Sequence, residues 1–195
     1  MIIDFIKKGA LEYVVIDNFY TKKELNLIYK ELNLLFPHAQ TAAFTGVAKD
    51  DNNIPKKNCL GIFLDDFYGI ERAKSSILEF NRKIFNIKLI DKLVSFNAYF
   101  KHMHNCNIDY TLVNYYKDSE HYLPHHDKSL LTAITTFQIG DFEGGDFCFT
   151  EYNEAIKYKE NRCIIFTGCI EHEAKPIVAD KNSYRISMAQ FLKYS

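Results

Sequence analysis

Leu131-Thr-Ala-Ile-Thr-Thr-Phe-Gln-Ile139 is an uncharged run rich in β-branched and aromatic side chains, and its reading decides the fold. Such a composition predicts a strand. Residues 110–116, 147–150, 163–166 and 184–192 have the same character, with turn residues between them. Glu143-Gly-Gly-Asp146 separates two of these segments, where glycine without a side chain adopts positive φ at little steric cost. Many short strands with even punctuation predict a sandwich or jelly roll. The lack of a helix after each strand argues against an alternating α/β fold.

The first half differs in texture. Leu25, Ile28, Leu32 and Leu35 recur at three- and four-residue steps, and Thr21 followed by Glu24 forms a capping box, which predicts an amphipathic helix over 21–36 ended by Pro37. Before it, Tyr13-Val-Val-Ile16 predicts a strand that turns at Asp17-Asn18. Residues 45–58 carry Asp50-Asp-Asn-Asn53, Pro55 and paired lysines, the make-up of a loop. Ala73, Ile77, Leu78, Ile84 and Phe85 predict a second helix over 71–85, whereas 89–104 fits a helix at its start and alternates later. The expected class is α+β in a single domain: residues 1–106 give helical support and the first strands, and 107–195 give the jelly-roll core.

Composition narrows the function. The chain has 195 residues, of which 47% are hydrophobic and 25% charged, so it can bury a substantial core and lacks a disordered signature. Twenty-four basic against 25 acidic residues give a net charge of -1, which offers no general attraction for nucleic acid or anionic lipid. Five cysteines with no CxxC pair argue against a disulfide framework and a thiolate zinc site. No apolar run is long enough to span a membrane, and the opening Met1-Ile-Ile-Asp-Phe-Ile-Lys-Lys8 lacks the order of a signal peptide, so a cytoplasmic protein is expected, as monomer or homodimer.

Four polar residues carry the chemistry: His125, Asp127, His172 and Arg185. Chance alone supplies roughly half a His-x-Asp match in such a chain. Its placement in a β-rich half adds weight, because residues two apart on a strand share a face and His126 then points away. Two imidazoles and one carboxylate can occupy one face of a ferrous ion and leave the other open. Arg185 lies inside the apolar run from Tyr184 to Leu192, where a guanidinium is costly without an anion. That anion is either an internal carboxylate, such as Glu171 or Glu173, or a dicarboxylic ligand held by two prongs. Ser187 shares the face of Arg185 and offers a hydroxyl to the same group. His102-Met-His104-Asn-Cys106 lacks the paired spacing of zinc sites, and Asp50-Asp51 and Asp65-Asp66 read as solvated loop carboxylates.

On these residues the chain resembles the Fe(II)/2-oxoglutarate-dependent dioxygenases, in particular their prolyl-4-hydroxylase-like branch. The resemblance rests on Asn114-Tyr-Tyr116, Tyr122-Leu-Pro-His125-His-Asp127, Thr132, Phe142-Glu-Gly-Gly-Asp-Phe147, His172-Glu173 and Tyr184-Arg-Ile-Ser187, and covers about residues 110–195. It implies a double-stranded β-helix in which His125, Asp127 and His172 bind iron and Arg185 pairs with the C5 carboxylate of 2-oxoglutarate. Tyr115 matches the tyrosine that hydrogen-bonds the co-substrate in that branch, with Tyr116 facing the other way as packing; Ser187 and Thr132 are further co-substrate candidates. The resemblance further implies O2 as oxidant, succinate and CO2 as products, and ascorbate as an accessory reductant. An expanded turn at Ala179-Asp-Lys-Asn-Ser183 departs from many prolyl hydroxylases.

The expected activity is hydroxylation of a C–H bond on a peptide or protein residue such as proline, with residues 45–58 as a substrate lid. Methylcytosine or thymine oxygenases share the Gly140-to-Gly145 turn and the Arg-x-Ser ending, but the near-neutral charge offers little surface for phosphates. A small-molecule oxygenase and a cupin-like binding protein that keeps the fold without the reaction are the other readings.

Overall fold

The computed structural model describes residues 1–45 and 47–194. The chain opens with a hairpin of β1 (Ile2–Lys8) and β2 (Leu11–Asp17), followed by α1 (Lys22–Leu35). Thr21 caps α1 by accepting from the Glu24 amide, while the Glu24 carboxylate accepts from the Thr21 amide. Next come β3 (Leu60–Phe63), α2 (Leu64–Tyr68), α3 (Ser76–Asn81) and α4 (Ile87–Phe96). The rest is β-rich: β4 (Ile108–Tyr116), β5 (Tyr122–His125), β6 (Leu131–Ile139), β7 (Phe142–Gly144), β8 (Phe147–Phe149), β9 (Glu154–Ile156), β10 (Arg162–Thr167), β11 (His172–Ala174), β12 (Ile177–Ala179) and β13 (Tyr184–Lys193).

The helix expected over 71–85 is broken. A 3-10 segment, Gly69–Lys74, ends at Ser75, whose hydroxyl accepts from the Leu78 amide and starts α3 afresh. Glu31 of α1 anchors that restart by accepting from the Ser75 hydroxyl and the Ile77 amide. Residues 89–104 divide between α4 and a 3-10 helix, Ala98–His104, whose Asn97 cap accepts from the Tyr99 amide. None of the helices among the described residues is long and apolar enough to cross a membrane.

Seven strands form an antiparallel sheet in the order β1-β2-β10-β6-β13-β4-β3, and four form a smaller sheet in the order β5-β11-β8-β9, with β12 and β7 paired separately. Strand alternation sorts the large sheet into two faces. Val14, Ile16, Val113, Tyr115, Cys163, Ile165, Ile186 and Met188 pack on α1, α3 and α4 in one core. Tyr13, Val15, Ile134, Ile164, Phe166 and Ala189 turn the other way, onto Phe147, Phe149 and Ile156 of the small sheet. The two sheets therefore face each other as a jelly roll, with the helices as backing.

At the edge of this sandwich Asp17 accepts from Arg162 Nε at 2.7 Å and Lys159 Nζ at 2.7 Å. Arg162 leads the causes that hold its carboxyl at about 2, against an ordinary value of 3.8. A folded-state value below the unfolded one gives stability that is present above 3.8 and disappears as pH falls through about 2. Asp17→Asn is therefore expected to flatten the acid limb of stability against pH in that window, as measured by urea unfolding.

Candidate metal centre

His125 closes β5 and His172 opens β11, and the two are directly paired across the small sheet. Their ring centroids lie 4.3 Å apart. Asp127 follows β5, held by its amide donating to the Gly168 carbonyl at 2.8 Å. Candidate ligand atoms of His125, Asp127 and His172 all lie within 4.8 Å of one another. His172 Nε2 is 3.4 Å from Asp127 Oδ2, and His125 Nε2 is 4.0 Å from Asp127 Oδ1. Exposed His126 turns away and meets the Cys169 carbonyl.

The tautomers follow from the neighbours. His125 Nδ1 lies 2.8 Å from the Leu123 carbonyl, and His172 Nδ1 lies 2.9 Å from that of Ile170. A carbonyl only accepts, so each Nδ1 carries the proton and each Nε2 presents a lone pair to the centre of the cluster. Burial pushes the His125 imidazolium down to about 3, with the His172 charge adding to it, and burial also lowers His172. Both rings are thus neutral at ordinary pH, with Nε2 free to act as a donor atom. Burial raises the Asp127 carboxyl, opposed by His172 and by the Thr132 hydroxyl. Two neutral imidazole nitrogens and a carboxylate oxygen converging in an apolar surround are a donor set that suits a divalent transition metal.

The cluster opens onto a cavity of about 680 Å3 between the two sheets, which Arg185 and Ser187 also line. Arg185 is 2% exposed and lies across the Tyr116 ring, 4.0 Å from its centroid. Its Nη1 donates to the Gly145 carbonyl at 2.8 Å and to the Lys175 carbonyl at 3.3 Å, whereas Nε and Nη2 have no partner among the described residues. The internal carboxylates offered as partners are engaged by other groups: Glu173, at the cavity wall, pairs with Lys175, and Glu171 meets Thr150 and His126. A Cβ on Gly145 would stand 2.9 Å from Arg185 Cδ, so this glycine, at φ +75, makes room for the guanidinium as well as the turn. A buried guanidinium with two free donors in a cavity fits a carboxylate ligand.

Two expectations are corrected. Tyr115 does not reach the cavity: it belongs to the helix-backed core, donates its hydroxyl to the Leu32 carbonyl at 2.7 Å and packs edge-on to Phe36. Tyr116 is the one that faces inward, because it pairs with Arg185 in the ladder and shares its side of the sheet. Thr132 is also no ligand contact. Fully buried behind the cluster, its hydroxyl donates to Asp127 Oδ2 at 2.7 Å and meets Ser129, so it orients the carboxylate. Sequence reasoning also missed Lys57, Asn114 and Tyr122 in the cavity wall. Tyr122 stacks on the His125 ring, with centroids 3.5 Å apart at 8°.

No family model and no curated protein matches the sequence. Solved structures do match the fold. A viral collagen prolyl hydroxylase of Paramecium bursaria Chlorella virus-1, in its 2OG complex, aligns over 94% of this chain and 96% of its own at 16% identity and a TM-score of 0.55. A Trichoplax adhaerens prolyl hydroxylase in complex with a hypoxia inducible factor oxygen degradation domain peptide fragment aligns over 93% and 83%, at 15% identity and 0.61. NgTET1 in complex with 5mC DNA aligns over 94% and 72%, at 17% identity and 0.52. The fold is that of the prolyl hydroxylases and other 2OG-dependent oxygenases. At these identities the likeness speaks for architecture, and the chemistry rests on the side chains above.

Thr132→Val, which keeps the shape and deletes the hydroxyl, is expected to weaken Mn(II) binding about ten- to hundredfold in a calorimetric titration. Tyr115→Phe is expected to leave that affinity unchanged and to cost about 1 kcal/mol in unfolding, since only its bond to Leu32 is lost.

Proposed function

We propose that the protein is an Fe(II)- and 2-oxoglutarate-dependent oxygenase that hydroxylates a C–H bond of a peptide or protein residue, proline being the best single candidate. The observation that carries the reading is the Arg185 guanidinium, buried with Nε and Nη2 unpartnered in the same cavity as the His125, Asp127 and His172 cluster. When bound, the iron supplies oxidation of a substrate C–H bond coupled to decarboxylation of 2-oxoglutarate to succinate and CO2, using O2.

The residues divide that work. His125 and His172 hold their Nε2 lone pairs inward because their Nδ1 protons are tied to backbone. Asp127 contributes the charge, aimed by Thr132. By the resemblance to the dioxygenases, a carboxylate at this position would favour hydroxylation over halogenation. Arg185 would take the far carboxylate of 2-oxoglutarate on its free edge, with Ser187 and the Tyr116 ring beside it. Phe63, Leu112, Ile134, Ala189 and Phe191 line the same cavity with apolar surface, which suits an uncharged group such as a prolyl ring and excludes water from the reaction.

One observation favours a nucleobase substrate instead: Lys49, Lys128 and Lys193 stand among the lining residues, a local positive charge that the overall balance conceals. Turnover to succinate that rises with proline-containing peptides supports the peptide reading. Stimulation by methylated DNA, with salt-sensitive binding, would replace it.

Anaerobic addition of Fe(II) and 2-oxoglutarate is expected to give the metal-to-ligand charge-transfer band in the visible, and Asp127→Ala and His172→Ala should lose it. Arg185→Ala should weaken 2-oxoglutarate binding by several kcal/mol at most, as for a buried charge pair cut in half. Full co-substrate affinity in the Arg185 variant would refute the assignment.

A further inference from the structure

Lys57 is a buried cation that the reading above leaves unused. It sits at the end of the polar 45–58 stretch, yet it is only 2% exposed and lines the cavity. Its ammonium donates to Thr45 Oγ1 and Asn114 Oδ1, both at 2.9 Å, and lies 5.8 Å from the centroid of Tyr122, the ring stacked on His125. Both acceptors are neutral, and no carboxylate among the described residues comes within 4.0 Å. Burial accordingly pushes the ammonium below its ordinary range. A lysine placed this way at a purely structural position gives up hydration without receiving a counter-charge.

The surroundings are built around this amine. A Cβ on Gly61 would lie 2.8 Å from Asn114 Oδ1 and 3.1 Å from Lys57 Nζ, so glycine at that point of β3 is what lets the lysine cross to Asn114. Asn114 in turn pairs with Gly61 on one side and Ser187 on the other, and Ser187 pairs with Thr136, making one inward-facing row across four strands. Because Lys57 occupies the amide oxygen of Asn114, the amide nitrogen is left as a donor. Tyr116 and Arg185 form the next inward row, two residues along, or about 7 Å of strand. The cavity therefore holds two separate buried cations, each flanked by donors and neither compensated by a carboxylate.

We propose that Lys57 and Asn114 form a second anion subsite, which takes the C1 carboxylate of the co-substrate while Arg185 takes the C5 carboxylate. The inference rests on the oxygenase reading and adds a positioning pair to it. A ligand with one carboxylate leaves one cation unpaired, whereas a dicarboxylate with its charges at opposite ends satisfies both. Lys57 also touches Thr45, so the same contact joins the 45–58 loop to the co-substrate end of the cavity.

The experiment is anaerobic calorimetric titration of Mn(II)-loaded protein with 2-oxoglutarate and with 2-oxovalerate, which keeps the C1 carboxylate and 2-oxo group but lacks the C5 carboxylate. Lys57→Met should weaken both ligands by a similar factor, about ten- to hundredfold as for the loss of a charge-assisted contact. Arg185→Ala should weaken 2-oxoglutarate alone. Lys57→Gln keeps a donor for Asn114 and should lose affinity in the same pattern, and Lys57→Arg should recover part of it; these two decide the matter if the Met variant folds poorly. Unchanged affinity for both ligands in the Lys57 variants would overturn the proposal while leaving the oxygenase reading intact. So would a loss confined to 2-oxoglutarate, which would put Lys57 on the same carboxylate as Arg185. Wild-type protein that binds neither ligand would remove both readings together.

Discussion

The antiparallel register of β4, β13 and β6 is the constraint on which the rest of the molecule depends. Each strand is buried on both faces, so a slip of one residue would exchange Arg185 with Ile186 and Asn114 with Tyr115. It would drive a guanidinium into the apolar core against the helices and leave Ile186 facing the polar cavity. Burying an unpaired charge in that way costs several kcal/mol, far more than any single ladder hydrogen bond returns. The hydrophobic core under α1, α3 and α4 thus determines which side chains enter the cavity, and the register is specified by packing.

The cluster of His125, Asp127 and His172 draws on both sheets. His125 and His172 belong to neighbouring strands of the small sheet, and each is locked by the same device, a ring N–H donating to the carbonyl two residues earlier. Asp127 leaves that sheet and is caught by Thr132, on β6 of the large one. The cluster therefore assembles only when the sandwich closes. Phe147 and Phe166, one from each sheet, pack against the His172 ring and occupy the space between. Apolar packing and ligand placement are here a single event, which keeps both imidazoles neutral because the packing that positions them also removes water.

The sequence was most legible where local chemistry decides structure. The capping box of Thr21 and Glu24 and the uncharged strand at Leu131–Ile139 follow from short-range rules, and Gly144 and Gly145 take positive φ as expected, although Glu143 and Gly144 of that turn belong to β7. Parity in β4 was not legible. Asp109, Thr111, Leu112, Val113, Asn114, Tyr115 and Tyr116 are all buried, so no polar alternation distinguishes the two faces, and Tyr115 was assigned to the wrong one. The break at Ser75 was hidden for another reason: the apolar spacing of Ala73, Ile77 and Ile84 runs through it, and the stop comes from Glu31 far away in the chain. Lys57 reads in the sequence simply as part of a loop, because its burial depends on what Gly61 lacks and on Asn114 of β4, which no local pattern connects to it.

The cavity is divided by chemistry along the strands that build it. Along β13, Arg185 and Ser187 face inward first, then Ala189 and Phe191, so donors give way to apolar surface before Lys193 ends the row. β4 repeats the order with Tyr116 and Asn114 followed by Leu112, and Tyr110 ends the row. Period-two alternation turns a linear change of composition into a spatial gradient, because every second residue reaches the same wall. On the oxygenase reading this is the division the reaction requires: an anion needs a full complement of donors, whereas a C–H bond offers nothing to a donor and is positioned by contact alone. Any donor placed among Leu112, Ala189 and Phe191 would have to be desolvated when substrate bound, with nothing to replace its water. On that reading the wall that would hold the co-substrate gives way to apolar contact between Ser187 and Ala189, and polar groups return only past it, at Tyr110 and Lys193.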